Sequence, residues 1–533
     1  MNPTTFFGKT LSGSYTIPSG IVMTDVPIIN LLAKMIPELG ILTTKSIGPK
    51  PWQGNKEPII AKTGPGTYIN AVGLANPGYE AFAERLGSLS IPPNKFFLIS
   101  VFGSTPQELR SITKTLSPFA DGFELNISCP HSDKYGQVCG QDPLLVEQLT
   151  AASAESEKPV MVKVSPNLDI SMQVTAAEKG GASGFTAINT IGPSPYTINT
   201  HPVLANNRGG LSGRAIRDAG LRVVKTIRAL TNKPIIGCGG ITTATDVRAY
   251  KAAGANFFGV GSALAGMDSH EIQQYFSALE TDIVSITNHS PSFLKENINL
   301  NYKPFRIAKN TELAAGTVLL QLDAPYPVKP GQFVFLWLPG IGEKPFSVMD
   351  DDPGTFLIQA IGPYSTALSK LHAGDTIHIR GPYGNSPTVK GNTLLVAGGT
   401  GIAALYLFAK NNPGTIAFLG ARCKDRLAYL DEFRSVCDKV FIATDNGDSG
   451  HKGFVTDLLE KELSSLSPTT ALNCGPPPMV HKAIALQQEA RIKDIFSSIE
   501  FLTMCGNGMC GRCTTQKGWR SCVDGTFLRP EQL

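Results

Sequence analysis

The sequence predicts an α/β chain in four parts: an N-terminal (β/α)8 TIM barrel, a small antiparallel β-barrel, an α/β nucleotide-binding domain and a short cysteine-rich C-terminal domain. Three observations in its 533 residues predict it. Eight short apolar or β-branched runs recur between Ile17 and Ser262, most of them separated by stretches compatible with helix. From Tyr302 to about Pro387 the pattern turns into strands punctuated by glycine turns. From Asn392 the alternation of strand and helix returns.

The eight runs are IPSGIVMT, ILTTKS, FFLISVFG, GFELNIS, VMVKVS, GFTAINT, PIIGCGG and FFGVGS. Eight strand-helix alternations in roughly 270 residues suit a closed barrel better than an open doubly wound sheet. A closing helix is expected over Gln274 to Thr287, ending the barrel domain at 1–287, and the polar stretch NHSPSFLKENINLNYK makes 288–301 a linker. KPGQFVFLWLPG, GTFLIQAIG and GDTIHIRGPYG mark the antiparallel β-barrel at 302–390, with one helical turn around Thr366 to Leu371. TLLVAGG, TIAFLG and VFIATD place the α/β domain at 391–490, and glycine- and cysteine-rich sequence fills 491–533.

The charge is nearly balanced, 47 basic against 43 acidic residues for a formal net of +4, and no Lys/Arg block forms a stripe. That argues against nucleic acid as a partner. The opening MNPTTFFGKTLSGSYTIPSG lacks a basic segment followed by an unbroken apolar stretch, so no signal peptide is expected. The longest uncharged run, Thr393 to Ala409, is about the length of a membrane helix, but its Gly398-Gly399-Thr400-Gly401 break reads as strand, turn and helix. A cytoplasmic protein without a membrane partner is expected. There, ten cysteines point to ligands, catalysts or core residues rather than disulfides.

Four of the ten lie together near the end of the chain. Cys505-GNGM-Cys510-GR-Cys513, followed by Cys522, has the spacing of plant-type [2Fe-2S] sites. Two irons need four soft anionic ligands, which thiolates supply, and the glycines let backbone N–H groups turn toward the sulfurs. Zinc knuckles pair CxxC with CxxC, which this segment does not.

In a (β/α)8 barrel the chemistry sits at the C-terminal ends of the strands, and phosphate commonly docks on the loops after strands 7 and 8. Here those loops are Gly237-Cys238-Gly239-Gly240 and Gly259-Val260-Gly261-Ser262. Glycine permits close backbone approach, and each loop is expected to enter a helix whose N-terminal amides face the phosphate. Other strand ends bring Lys45 and Ser46, Asn126 and Cys129, Lys163, and Asn189 and Thr190. Lys163, set among VMV and Val164, is costly to bury without an anionic partner. A reduced flavin ring would be such a partner, and a surface carboxylate is the plainer reading.

ELNISCP (124–130), TKSIGP (44–49), INAVGLANPG (69–78), VKVSPN (162–167), INT (188–190) and GGLSG (209–213) resemble class 1 dihydroorotate dehydrogenases over nearly the whole barrel, most closely the NAD-linked B-type catalytic subunit. The resemblance implies that FMN phosphate lies on Gly239, Gly240, Gly261 and Ser262. It implies further that Lys163 and Lys45 reach the ring and that Gly20, Ser46, Asn126, Ile188 and Gly213 complete the FMN site. The pyrimidine would be held by Lys45, Asn70, Gly73, Leu74, Asn126, Asn189 and Thr190, with His131 beside it. Cys129 stands where the family places the base that removes the C5 proton while hydride leaves C6. A free cysteine titrates at about 8.5, so a modest downward shift suffices. Two features depart from the family: His131 in SCPH, where the family commonly has asparagine, and Cys139 in VCGQDP. Both resemble the pyrimidine-reducing barrel of dihydropyrimidine dehydrogenases, and Cys139 is a second candidate base.

KPFSV (344–348), GDTIHIRGPYGN (374–385), LVAGGTGIA (395–403), NCGPPPM (473–479) and the cysteine motif ending CVDG (522–525) resemble the electron-transfer subunit of the B-type enzyme, a ferredoxin-reductase-like module. Fusion of the two subunits accounts for the length and the linker. The resemblance implies FAD on Lys344, Pro345, Phe346 and Ser347, with Gly362, Ser365 and Thr366. Lys344 stands where the family has arginine, which keeps the charge and loses the bidentate fork. Gly398, Gly399, Thr400 and Gly401 would cradle the pyrophosphate of NAD, and Cys474, Gly475 and Pro476 would line the nicotinamide pocket. Arg422, Lys424 and Arg426 leave NADP open.

The expected reaction is oxidation of dihydroorotate to orotate at FMN, with electrons passing through the [2Fe-2S] cluster and FAD to NAD+, in pyrimidine biosynthesis. Two alternatives stand beside it: an NAD(P)H-dependent dihydropyrimidine dehydrogenase acting on uracil or thymine, and a barrel that only partners a diaphorase. A homodimer through the barrel is expected from the same resemblance.

Overall fold

The computed structural model describes residues 4–128, 137–285 and 298–533. Contacts divide the chain into two units, Met1–Ile298 with Asn507–Gly518, and Asn299–Gly506 with Trp519–Leu533.

In the first unit eight parallel strands form one sheet: β1 (Tyr15–Thr16), β2 (Ile41–Thr43), β3 (Phe96–Val101), β4 (Gly122–Asn126), β5 (Val160–Lys163), β6 (Gly184–Ala187), β7 (Ile235–Cys238) and β8 (Phe257–Gly259). Their order is β1, β8, β7, β6, β5, β4, β3, β2. A parallel bridge from Tyr15 to Leu39, and a 2.9 Å hydrogen bond between the Thr16 and Thr43 hydroxyls, bring the two edges together into a barrel. Seven strands fall within the runs read from the sequence. The first does not: Ile17 to Thr24 is the loop after β1, because Pro18 has no N–H to give a ladder and Gly20 and Val22 sit at φ +94° and +54°.

The connecting helices are α1 (Val26–Met35), α2 (Tyr79–Leu86), α3 (Pro106–Leu116), α4 (Pro143–Ala154), α5 (Ile170–Lys179), α6 (Arg217–Leu230), α7 (Ala244–Ala253) and α8 (Ser269–Ser285). Asp25, Thr105, Asp142, Asp169 and Thr243 cap five of them through side-chain oxygens, satisfying amides that have no partner within the helix. The closing helix begins at Ser269 rather than Gln274.

A hairpin of Thr4–Phe6 and Lys9–Leu11 plugs the N-terminal end of the barrel. Its Phe6 ring lies 4.7 Å from Phe96 and 4.6 Å from Phe257, in a core shared with Leu98, Met161 and Ile236. Burying each such side chain contributes about 1.5–3 kcal/mol. With apolar side chains filling that end, polar ones collect at the other. The loops after β2 and β6 add an antiparallel sheet in the order 191–195, 208–213, 67–70, 60–64. Asn507–Gly518 belongs to this unit too, with Asn507 O accepting from Gly266 N and Met509 O from Val22 N, both at 2.8 Å.

The second unit opens with a seven-stranded antiparallel sheet: β9 (Lys303–Ala314), β10 (Thr317–Leu322), β11 (Phe333–Leu338), β12 (Gly342–Ser347), β13 (Asp350–Asp351), β14 (Gly354–Gln359) and β15 (Thr376–Tyr383). The order is β12, β11, β15, β9, β10, β14, β13. The two edge strands are consecutive in the chain, joined only by buried Val348 and Met349, so the sheet must curl back on itself. The helical turn expected near Thr366 is a helix over Pro363–Ser369.

A six-stranded parallel sheet follows, β16 (Thr393–Gly398), β17 (Ile416–Ala421), β18 (Lys439–Thr444), β19 (His451–Lys452), β20 (Thr470–Cys474) and β21 (Asp494–Ser498), ordered β19, β18, β17, β16, β20, β21. The long uncharged run resolves into β16, a 3-10 turn over Gly399–Ala404 and a helix over Tyr406–Asn411. Among the described residues no helix is long and apolar enough to cross a membrane.

Candidate functional site

Residues two apart on a strand share a face. On β4 this sets Glu124 and Asn126 together, and both are buried. Lys163 ends β5 in register with Asn126. Its Nζ donates to Ser19 Oγ at 2.7 Å and lies 3.8 Å from Glu124 Oε1, the two side chains being 5% and 1% exposed. Ser100 Oγ on β3 donates to the same carboxylate oxygen at 3.0 Å and shares a 2.9 Å hydrogen bond with Ser46 Oγ. Ser46 accepts from Asn126 Nδ2 at 2.9 Å. Beyond β6, Asn189 Nδ2 donates to Ser128 Oγ at 2.8 Å and to Asn126 Oδ1 at 3.4 Å. One hydrogen-bonded layer thus joins the C-terminal ends of β2, β4, β5 and β6 through side chains of β3 and the loop after β1.

The anionic partner that Lys163 demands is within the fold: Glu124, a buried carboxylate rather than a surface one. The sequence reading does not single out Glu124, nor Ser19, Ser100 and Ser128. A carboxylate two residues before Asn126 in an otherwise apolar strand is the signal that could have found the first. The serines carry no such signal.

Around this layer, Lys45 is buried and its amide donates to Met23 O at 3.2 Å. Thr190 N donates to Asn189 Oδ1 at 2.8 Å, while its buried Oγ1 has no hydrogen-bond partner. Asn70 faces Gly210 across the inserted sheet and donates to its carbonyl at 3.3 Å, and Gly213 ends the same strand opposite Thr67. Gly73 and Leu74 follow in a turn with φ +76° and +55°. The Ile188 amide donates to Cys238 O at 3.0 Å, and Cys238 Sγ in turn donates to Ile188 O at 3.3 Å. Burial pushes the Cys238 thiol up to about 11 although Lys163 pulls it down, so it stays protonated at neutral pH. Cys139 is buried in a helical turn over Gln137–Gly140, its Sγ 4.0 Å from Gly103 O. Cys129 and His131 lie outside the described residues.

Gly239 and Gly240 sit at φ +117° and +71°, and a Cβ on Gly240 would fall 2.8 Å from Gly213 O. Such a bare backbone suits a phosphate. The expected help from helix N-termini is not there in that form. Asp246 Oδ2 already accepts from the Thr242 and Thr243 amides ahead of α7, at 2.9 and 3.0 Å, and Gly261-Ser262 opens only a three-residue 3-10 turn.

In the second unit, Lys344, Pro345, Phe346 and Ser347 line β12, paired with Leu336, Phe335, Val334 and Phe333 of β11 and each half-buried. Ser365 Oγ accepts from the Ile361 and Gly362 amides at 3.0 and 3.1 Å, and Thr366 N donates to Gly362 O at 2.9 Å, so these residues cap the helix at Pro363. The structure also brings the two segments expected at the dinucleotide together. Ala397 pairs with Cys474, and a Cβ on Gly401 would fall 2.2 Å from Cys474 O. The Gly398-Gly399-Thr400-Gly401 turn enters a 3-10 turn rather than an α-helix. Burial pushes the Cys474 thiol up to about 12. Gly401→Val must push the turn after β16 away from the end of β20, and misplacement on the order of 1 Å costs about 100-fold in rate. That loss is expected in stopped-flow reduction of the flavin by NADH. Reduction through the barrel substrate should be unchanged.

Cys505, Cys510, Cys513 and Cys522 are 2%, 3%, 1% and 1% exposed, the middle two in the first unit and the outer two in the second. Among the described residues no group of three or more His, Cys, Asp or Glu is closed into a metal cage. Their spacing and the burial of each mark these four as candidate ligands. Below Cys505 lies a feature the sequence reading misses. Arg380, fully buried, makes two hydrogen bonds to the buried Glu343 carboxylate, at 2.6 and 2.8 Å, and Nη1 donates to Cys505 O at 2.9 Å. Tyr302 OH donates to Glu343 at 2.6 Å, and the guanidinium carbon lies 3.8 Å from the Phe335 ring centroid.

The residues present fit the implied groups: a bare glycine loop for a phosphate, an unmet Thr190 hydroxyl for a pyrimidine, a half-buried strand for a flavin and four buried thiols for a cluster. Comparison with known proteins points the same way. The family described as dihydroorotate dehydrogenase matches residues 1–280, and the oxidoreductase NAD-binding domain matches 395–484. The catalytic subunit of dihydroorotate dehydrogenase B (NAD(+)) from Pyrococcus horikoshii is 40% identical over 230 residues, 42% of this chain and 74% of that one. Its counterpart from Methanocella arvoryzae is 37% identical over 260 residues, 48% of this chain and 85% of that one. The probable electron transfer subunit of the enzyme from Pyrococcus abyssi is 40% identical over 230 residues, 43% of this chain and 90% of that one. With relatives of both subunits matched by one polypeptide, and more than half of its length matched by the first family, the chain belongs to the dihydroorotate dehydrogenase family.

Proposed function

We propose that the chain oxidises dihydroorotate to orotate at FMN in its barrel and delivers the electrons through a [2Fe-2S] cluster and FAD to NAD+, in pyrimidine biosynthesis. The observation that carries this reading is the buried layer of Lys163, Glu124, Asn126 and Asn189 at the strand ends. A cation held against a carboxylate, with amides beside it, suits a flavin ring and a planar pyrimidine. When bound, the flavins exchange electron pairs and single electrons, and the cluster exchanges single electrons.

The chain's own residues divide the remaining work. Cys129 takes the C5 proton of the dihydropyrimidine, and Asn70, Asn126, Asn189 and Thr190 hold its polar edges. Lys163 and Lys45 would hold the flavin ring, and the glycine loops after β7 and β8 its phosphate. The strand of Lys344 to Ser347 carries FAD, the Gly398 to Gly401 turn with Cys474 and Gly475 carries NAD, and the four cysteines of the motif hold the irons. The domain limits read from the sequence, a cytoplasmic location and a homodimer through the barrel belong to the same proposal.

Anaerobic stopped-flow mixing tests it. Dihydroorotate is expected to bleach the barrel flavin, and dihydrouracil to leave it oxidised. Bleaching by dihydrouracil alone would move the substrate to the uracil class, a change His131 could support. Bleaching by neither would make the barrel a mere partner of the NADH-oxidising half.

A further inference from the structure

Asn507 lies inside the cysteine loop, two residues after Cys505 and three before Cys510. It is 0% exposed, and both polar atoms of its side chain, Nδ2 and Oδ1, are buried without a hydrogen-bond partner. Among the described residues no other side-chain amide has both atoms in that state. A buried amide left unpaired costs about 1–3 kcal/mol, so a native chain keeps one where something satisfies it.

The loop around it leaves little freedom to turn away. Its backbone is held at 2.8 Å by Gly266 N on Asn507 O and by Val22 N on Met509 O. Gly511 packs so tightly that a Cβ there would fall 1.8 Å from Thr24 Oγ1, and one on Gly518 would fall 2.5 Å from Pro27 O. The amide is therefore buried in a clamped loop that also supplies the buried thiols of Cys510 and Cys513. Thiolates and inorganic sulfides are acceptors only, and a side-chain N–H is the complementary donor.

We propose that the Asn507 side-chain N–H donates a hydrogen bond to a sulfur of the [2Fe-2S] cluster and thereby sets the cluster's reduction potential. This rests on the cluster reading above. Reduction adds one negative charge to the cluster, so a donor on sulfur stabilises the reduced state more than the oxidised one. Asn507 is a tuning residue and touches neither substrate nor flavin in this proposal.

The test is a redox titration of the full-length holoenzyme and its Asn507→Leu variant, followed by EPR of the reduced cluster. One-electron reduction of the variant is expected to become about tenfold less favourable, a fall of 59 mV, with iron and sulfide content retained. An unchanged potential overturns the proposal. A rise also overturns it, since the amide would then be presenting its oxygen. Should the variant fail to assemble its cluster, the wild-type enzyme decides: with 15N in its asparagine side-chain amides, pulsed EPR is expected to show a weak nitrogen coupling, and absence of that coupling overturns the proposal. A wild-type protein with no iron–sulfur EPR signal would overturn the cluster reading together with this inference. An intact cluster with an indifferent Asn507 would overturn this inference alone.

Discussion

Glu343→Gln is expected to destabilise the second unit by about 3–5 kcal/mol, the cost of leaving a buried charge without its partner. Arg380 is fully buried on β15 and bonded to Glu343 on β12 through two nitrogens. Burial pushes the guanidinium down and the Glu343 carboxylate holds it well above its ordinary value. Once that carboxylate is gone the guanidinium still keeps its proton, because arginine is too weak an acid to be deprotonated inside a protein, and its charge stays buried without a counter-charge. The glutamine keeps the shape and removes the charge, and it leaves Tyr302 OH with a weaker acceptor. Because Arg380 also holds Cys505 O, the variant should lose the [2Fe-2S] cluster at a lower urea concentration than the parent, read from the visible absorption of the holoenzyme. A change under about 1 kcal/mol would place the pair in the class of ion pairs that contribute little. Replacing both residues by apolar ones of similar volume should recover most of the loss, since buried pairs exchanged whole are often neutral.

Cys129→Ala is expected to lower reduction of the barrel flavin by dihydroorotate about 10²–10⁴-fold, the range of a lost general base. FMN content and reduction of FAD by NADH should be unaffected, since no residue assigned to either flavin or to NAD is altered. Single-turnover kinetics with each donor separate the two half-reactions. An unimpaired variant would move the base elsewhere. Cys139 is then a poor heir, because its thiol is buried and set against Gly103 O. Cys238 is no better, its thiol pushed up to about 11 by burial.

The alternation of short apolar runs with amphipathic stretches was enough to place seven of the eight barrel strands, because period and β-branching are local properties of the chain. The first strand, Tyr15–Thr16, precedes the apolar run that contains Pro18 and Gly20, because the backbone constraints of those two residues outrank hydrophobicity. The glycine loops at Gly239-Gly240 and at Gly398 to Gly401 were legible for the same reason. What lay hidden was how loop amides are spent: Asp246 takes the two ahead of α7, a choice made by a side chain one helical turn away.

The sequence by itself determined the order of the parts, the cysteine spacing and the polar residues at the strand ends, all of which depend on neighbours close in the chain. Tertiary structure alone decided their partners. Lys163 meets Ser19, 144 residues away, and Glu124 from the neighbouring strand, and Arg380 meets Glu343 and the carbonyl of Cys505, 125 residues on. A buried charge or amide must find a partner wherever the fold brings one, and no spacing rule says where that will be. Asn507 reads as an ordinary loop residue until the fold buries it and leaves both polar atoms of its amide without a protein partner.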